Sequence, residues 1–244
     1  MWTRTYWAAK GLILAFCLNV VSAWGNQAAI EHSMLMIDEV ELHRWSFDRE
    51  LISDDQTRVI HHEPRQHHYN GWSLIAVDGV TPTIDEQWAF LQNFESAQQQ
   101  TEQRNLVENR LTRLIQPATL VLVAQTESAA HYRFKPTLQS FLAESQRHLE
   151  GELWFDVKHQ HIYRVMIKSA APLESKAGVT FPYFNLELSF VREKGFVLPE
   201  LVKMRFGGQV NGLNVFAQNT VQHYKNYHLV FPPPSYAERQ ENAK

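Results

Sequence analysis

The stretch that decides the fold is LEGELWFDVKHQHIYRVMIKS, residues 149 to 169. Leu149, Gly151, Leu153, Phe155 and Val157 fall on one side of an extended chain, while Glu150, Glu152, Trp154 and Asp156 fall on the other. Lys158 to Gln160 read as a turn, and beyond them Tyr163, Val165 and Ile167 resume the period of two. The segment is therefore a hairpin with one apolar and one charged face.

The same period continues towards the C-terminus through Phe184, Leu186, Leu188 and Phe190, then Val202, Met204 and Phe206, then Val215, Ala217, Asn219 and Val221. FGGQVNG (206 to 212) reads as a hairpin turn, because it lacks the lysine and the strand-to-helix setting of a phosphate loop. FPPPSYAERQENAK (231 to 244) stops the last strand with three prolines and trails into a flexible C-terminal tail, 232 to 244. Towards the N-terminus, ATLVLVAQT (118 to 126) and HYRFKP (131 to 136) predict a hairpin around Glu127 to Ala130, followed by a short helix within TLQSFLAESQRH. Still earlier, HRWSFDRELI (43 to 52), TRVIHHE (57 to 63) and WSLIAVDG (72 to 79) predict three strands, the last ending in an Asp-Gly turn.

Helix signals interrupt this pattern in one place. In TPTIDEQWAFLQNFE (81 to 95), Thr83 and Glu86 form a capping box. Ile84, Trp88 and Leu91 share the stripe expected to be buried. The stripe fades through the Gln-rich joint SAQQQTEQR and returns at Val107, Leu111 and Leu114. The fold class predicted is mainly β (α+β): a curved antiparallel half-barrel of about ten strands in one domain, 24 to 231, with helices from 84 to 115 covering its concave face.

At the N-terminus, Arg4 and Lys10 precede an uncharged apolar run, Gly11 to Val21, and then Val21-Ser22-Ala23. This predicts a signal peptide, 1 to 23, and an exported, periplasmic protein. The run is about half the ~20 residues of a spanning helix, so no transmembrane span is expected in the mature chain. Cys17, the one cysteine, lies within the segment, which leaves the mature chain without thiols or disulfides. Losing Arg4 and Lys10 moves the formal net charge from -3 to -5. With no Lys/Arg cluster, that balance argues against nucleic acid.

A signal peptide, N-terminal strands, a helical lid and a long antiparallel meander together resemble the LolA/LppX-like periplasmic lipoprotein carriers. WSLIAVDGVTPT (72 to 83), YRFKP (132 to 136), LEGELWFD (149 to 156) and HYKNYHLV (223 to 230) resemble an uncharacterised proteobacterial exported group beside that superfamily. The resemblance spans Arg44 to Val230. It implies a half-barrel holding acyl chains in an apolar concavity, with a lipid or acylated lipoprotein as partner. No binding residue transfers position by position.

Three candidate sites remain to be weighed. His61, His62, His67 and His68, beside Glu63, have metal-ligand chemistry. On a strand, however, His61 and His62 would point to opposite faces, and the stretch contains Pro64 and Asn70-Gly71, so an exposed loop is the expectation and no metal is assigned. For catalysis, no Gly-x-Ser-x-Gly elbow and no mature thiol are present. Glu150, Glu152 and Glu187 alternate with apolar residues as the solvent face of strands. No catalytic residue or cofactor is expected. The third candidate is the apolar face, where Phe155, Val165, Ile167, Leu188, Phe190, Met204 and Phe206, opposed by Trp88 and Leu91, would either form a packed core or line a lipid cavity. The predicted function is a non-enzymatic lipid or lipoprotein carrier. The alternatives are an envelope scaffold that docks a protein partner and, third, a metal-dependent hydrolase using the histidines.

Overall fold

The computed structural model describes residues 26–65, 71–93 and 110–231. The segment expected to be a signal peptide, His67 and His68, the Gln-rich stretch with Val107 and the expected C-terminal tail lie outside these residues.

The period-two segments become a single twelve-stranded antiparallel sheet. In chain order its strands are β1 (Trp45–Ile52), β2 (Thr57–His62), β3 (Trp72–Val77), β4 (Val121–Gln125), β5 (Ala129–Phe134) and β6 (Leu149–Asp156). They continue as β7 (His161–Ser169), β8 (Leu173–Glu174), β9 (Thr180–Phe181), β10 (Phe184–Glu193), β11 (Phe196–Val210) and β12 (Leu213–Leu229). Across the sheet the order is β3-β2-β1-β12-β11-β10-β7-β6-β5-β4, with β8 and β9 as a side pair against β11. The sheet stays open, with β3 and β4 at its two ends.

Two kinds of local chemistry shape it. Asp78-Gly79 and Asn211-Gly212 both take positive φ (50° and 79°, 51° and 77°), the left-handed pairs that let two-residue turns match strand twist. Bulges interrupt most of the long pairings, including β1–β12, β10–β11 and β6–β7, and bend the sheet into a half-barrel. The β6–β7 bulge corrects one reading of the alternation: Phe155 pairs with Ile162, so Ile162 enters the core and Tyr163 is displaced.

The concave face is covered differently from the sequence expectation. A helix over 26–38 (α1), which strand and helix signals had not suggested, sets Ile30 and Met34, 0% and 1% exposed, against Leu149, Leu153, Phe155, Ile162, Val165 and Ile167. The Ile162 N–H donates to Ser33 Oγ at 2.8 Å, tying α1 to β7. The helix over 84–93 (α2) lies instead over β2 and β3, where Phe90 packs on Ile60 and Leu74. The one-turn helix α3 (Leu111–Leu114) joins α1 in the main core, its N-terminal N–H groups at Leu111 and Thr112 donating to Asp38 at 2.7 and 3.0 Å. A fourth helix, α4 (Ala143–Gln146), is the short one anticipated before β6. No helix among the described residues is long and apolar enough to cross a membrane.

Candidate ligand-binding cavity

Strand register assigns the inner face residue by residue. Arg49 stands opposite Ile60, Leu51 opposite Arg58, and Phe47 opposite His62. Ile60 in turn faces Leu74, and His62 faces Trp72. Cross-strand partners share a face, so one surface of β1–β3 presents Phe47, Arg49, Leu51, Arg58, Ile60, His62, Trp72 and Leu74. A register shift between Val59 and Ile60 leaves Ile75 out of the pairing and half exposed, and brings Val77 opposite Arg58.

Above this surface lies α2, started by the anticipated capping box. The Thr83 N–H donates to Glu86 Oε2 at 2.7 Å, and the Glu86 N–H returns to Thr83 Oγ1 at 3.3 Å. The Thr83 N–H, and after it the Thr83 hydroxyl, hold the Glu86 carboxyl below its usual range. With the first turn fixed, Glu86, Ala89, Phe90 and Asn93 face the sheet, at the i, i+3, i+4, i+7 spacing of one helical face. Ile84 is 74% exposed and Trp88 51%, so the stripe expected to be buried is turned aside.

Between sheet and helix is a cavity of about 400 Å³. Leu51, Ile60, Leu74, Val77, Ala89 and Phe90 form its apolar wall, and Arg49, Gln56, Arg58, Glu86 and Asn93 supply its polar groups. The Arg49 guanidinium lies over the Trp72 ring at 5.0 Å from its centroid.

The sequence-predicted lining residues are split between locations. Phe155, Val165, Ile167 and Phe190 are 0 to 8% exposed in the core closed by α1, with Leu188 and Phe206 packed at its margin. Met204 is half-buried. Leu91 joins the small cluster of Ile60, Leu74 and Phe90, and Trp88 does not oppose Phe155. The two readings of the apolar face, core or cavity, thus apply to different parts of the sheet. The signal in the sequence for this wall is Arg49, a charge set between Phe47 and Leu51 in an inward alternation.

The histidines separate as strand geometry requires. His61 Nδ1 lies 2.6 Å from Asp48 Oδ1, whereas His62, buried, has Nδ1 2.7 Å from the Trp45 carbonyl and its ring 4.6 Å from that of Trp72. His159 pairs with Asp156 at 2.9 Å, at the turn after β6. Among the described residues no group of three or more His, Cys, Asp or Glu side chains is placed to hold a metal ion. No family model, curated protein or solved structure matches the chain.

Proposed function

We propose that the protein is an exported, non-enzymatic carrier that holds an acyl chain, from a lipid or an acylated lipoprotein, between the β1–β3 face and α2. The observation that carries this reading is the half-open space of about 400 Å³ between α2 and the β1–β3 face, walled on its apolar part by Leu51, Ile60, Leu74, Val77, Ala89 and Phe90. Its size is within the range of small-molecule sites, roughly 300 to 1,000 Å³. A hydrocarbon chain gains about 0.8 kcal/mol for each CH₂ it buries, with no need for directional groups. The signal-like N-terminus and the half-barrel form support the same role.

The test is organic extraction of protein purified from a Gram-negative periplasm, followed by mass spectrometry, together with calorimetric titration of delipidated protein with 1-dodecanol. Acyl species at near-equimolar ratio are expected, as is dodecanol binding that Ile60→Trp weakens by filling the space. Recovery of no acyl species, and no dodecanol binding, would contradict the proposal.

The alternative of an envelope docking scaffold is favoured by one feature. The β11–β12 tip exposes Leu213 (72%), Val215 (53%) and Phe216 (42%). Under that reading, Leu213→Asp with Val215→Asp abolishes a periplasmic crosslink and leaves acyl binding unchanged.

A further inference from the structure

We infer that the cavity selects acyl chains ending in an anionic head group, a carboxylate or a phosphate, which Arg58 and Arg49 receive beside the apolar lining. This deepens the carrier reading and rests on it.

The register places both guanidinium-bearing side chains on the inward face: Arg49 opposite Ile60, and Arg58 opposite Leu51 and Val77. Both border the open pocket and not the core: Arg58 is exposed and Arg49 half-buried, so their charged groups stay within reach of a ligand. Arg58 donates from Nε to Gln56 Oε1 at 2.5 Å and forms no ion pair among the described residues. Arg49 is steadied by the Trp72 ring.

The wall's one carboxylate, Glu86, is committed to capping α2. The wall therefore sets two guanidinium groups, against one carboxylate, among apolar side chains, a lining that suits an amphiphile with a negative end. A guanidinium presents its donors in a planar fork that fits carboxylate and phosphate oxygens. The amides of Gln56 and Asn93, on the same wall, add neutral donors.

The experiment is calorimetric titration of the delipidated full chain with four twelve-carbon probes below their micelle concentrations: dodecanoate, dodecyl phosphate, 1-dodecanol and dodecyltrimethylammonium. Dodecanoate or dodecyl phosphate is expected to bind about tenfold or more tighter than dodecanol, the gain of one charge-assisted hydrogen-bonded pair. The tighter of the two anions distinguishes a free fatty acid from a phospholipid-type ligand. Salt should weaken the anions and leave dodecanol unmoved. Arg58→Gln is expected to lose most of the ratio of anion to dodecanol affinity, Arg58→Lys to keep part of it, and Arg133→Gln, on exposed β5 surface, to keep all of it. Equal binding of dodecanoate, dodecyl phosphate and dodecanol overturns this inference and leaves the carrier reading standing, as does a ratio that survives Arg58→Gln and Arg49→Gln together. Failure of all four probes to bind overturns the carrier reading itself, and the inference falls with it.

Discussion

At the scale of single residues, His61 and His62 show how neighbouring identical side chains acquire unlike roles. His62 is 5% exposed and bound to the Trp45 carbonyl, so His62→Ala should strand a buried acceptor and remove ring packing on Phe47 and Trp72. The expected loss is about 1 to 3 kcal/mol in urea denaturation, against little change for His61→Ala on the outer face. Gly151 gives a second test, because a Cβ there would lie 2.5 Å from the Phe134 ring, its partner across the ladder. Gly151→Ala should cost about 1 to 3 kcal/mol, and Phe134→Leu in the same chain should recover part of that, a coupling read from the double-mutant cycle.

A third residue-scale effect depends on pH. Burial, opposed by Asp156 and reinforced by Arg192 and His159, pushes the His161 imidazole below its ordinary value. As pH falls through about 6.5 the unfolded chain takes up this proton before the folded one, so stability should decline until the folded-state value is passed. Urea midpoints at about pH 7.5 and 5.5 should therefore differ more for the wild type than for His161→Gln.

At the scale of elements, the strands were legible in the sequence because their signal is local. Alternation in 149 to 169 and the Asp78-Gly79 turn depend on residues a few positions apart and appear in the structure, save that a bulge puts Ile162 where Tyr163 was expected; the turn expected over FGGQVNG (206 to 212) shrinks to Asn211-Gly212, because Phe206–Val210 continue β11. The capping box at Thr83 and Glu86 was legible for the same reason. Helix coverage was not, because it is decided by tertiary contact. Ile30, Ser33, Met34 and Ile37 have the spacing of a helical face, yet only their fit against β6 and β7 selects α1 as the main cover. In α2, either Ile84-Trp88-Leu91 or Ala89-Phe90-Asn93 could face a sheet on periodicity alone; packing on Ile60 and Leu74 decided for Phe90. The two helices should accordingly respond differently. Met34→Ala should cost about 2 to 5 kcal/mol of global stability through a core cavity. Thr83→Ala should cost about 1 kcal/mol, confined to α2 and seen as faster amide exchange over 84–93 with weaker dodecanol binding.

At the scale of the whole molecule, the long meander is joined to the three N-terminal strands by one pairing, β1 against β12, in which Trp45 meets Leu229 and Ile52 meets Val221. This arrangement produces a concave surface in two parts. One, over β5 to β10, is filled by α1 and Leu111–Leu114 and supplies stability. The other, over β1 to β3, is spanned by α2 without being filled, and carries the inward arginines. The residues expected to line a cavity thus serve mainly as core, and the hollow lies at the end of the sheet where α2 meets a face with mixed chemistry. The most direct measurement is a set of intermolecular nuclear Overhauser effects between 1-dodecanol and methyl-labelled protein. Contacts to Leu51, Ile60, Leu74 and Val77, with none to Leu149, Leu153 or Ile167, are expected. Contacts confined to exposed Leu213 and Val215, or none at all, would contradict the claim that this half-barrel carries its ligand beneath α2.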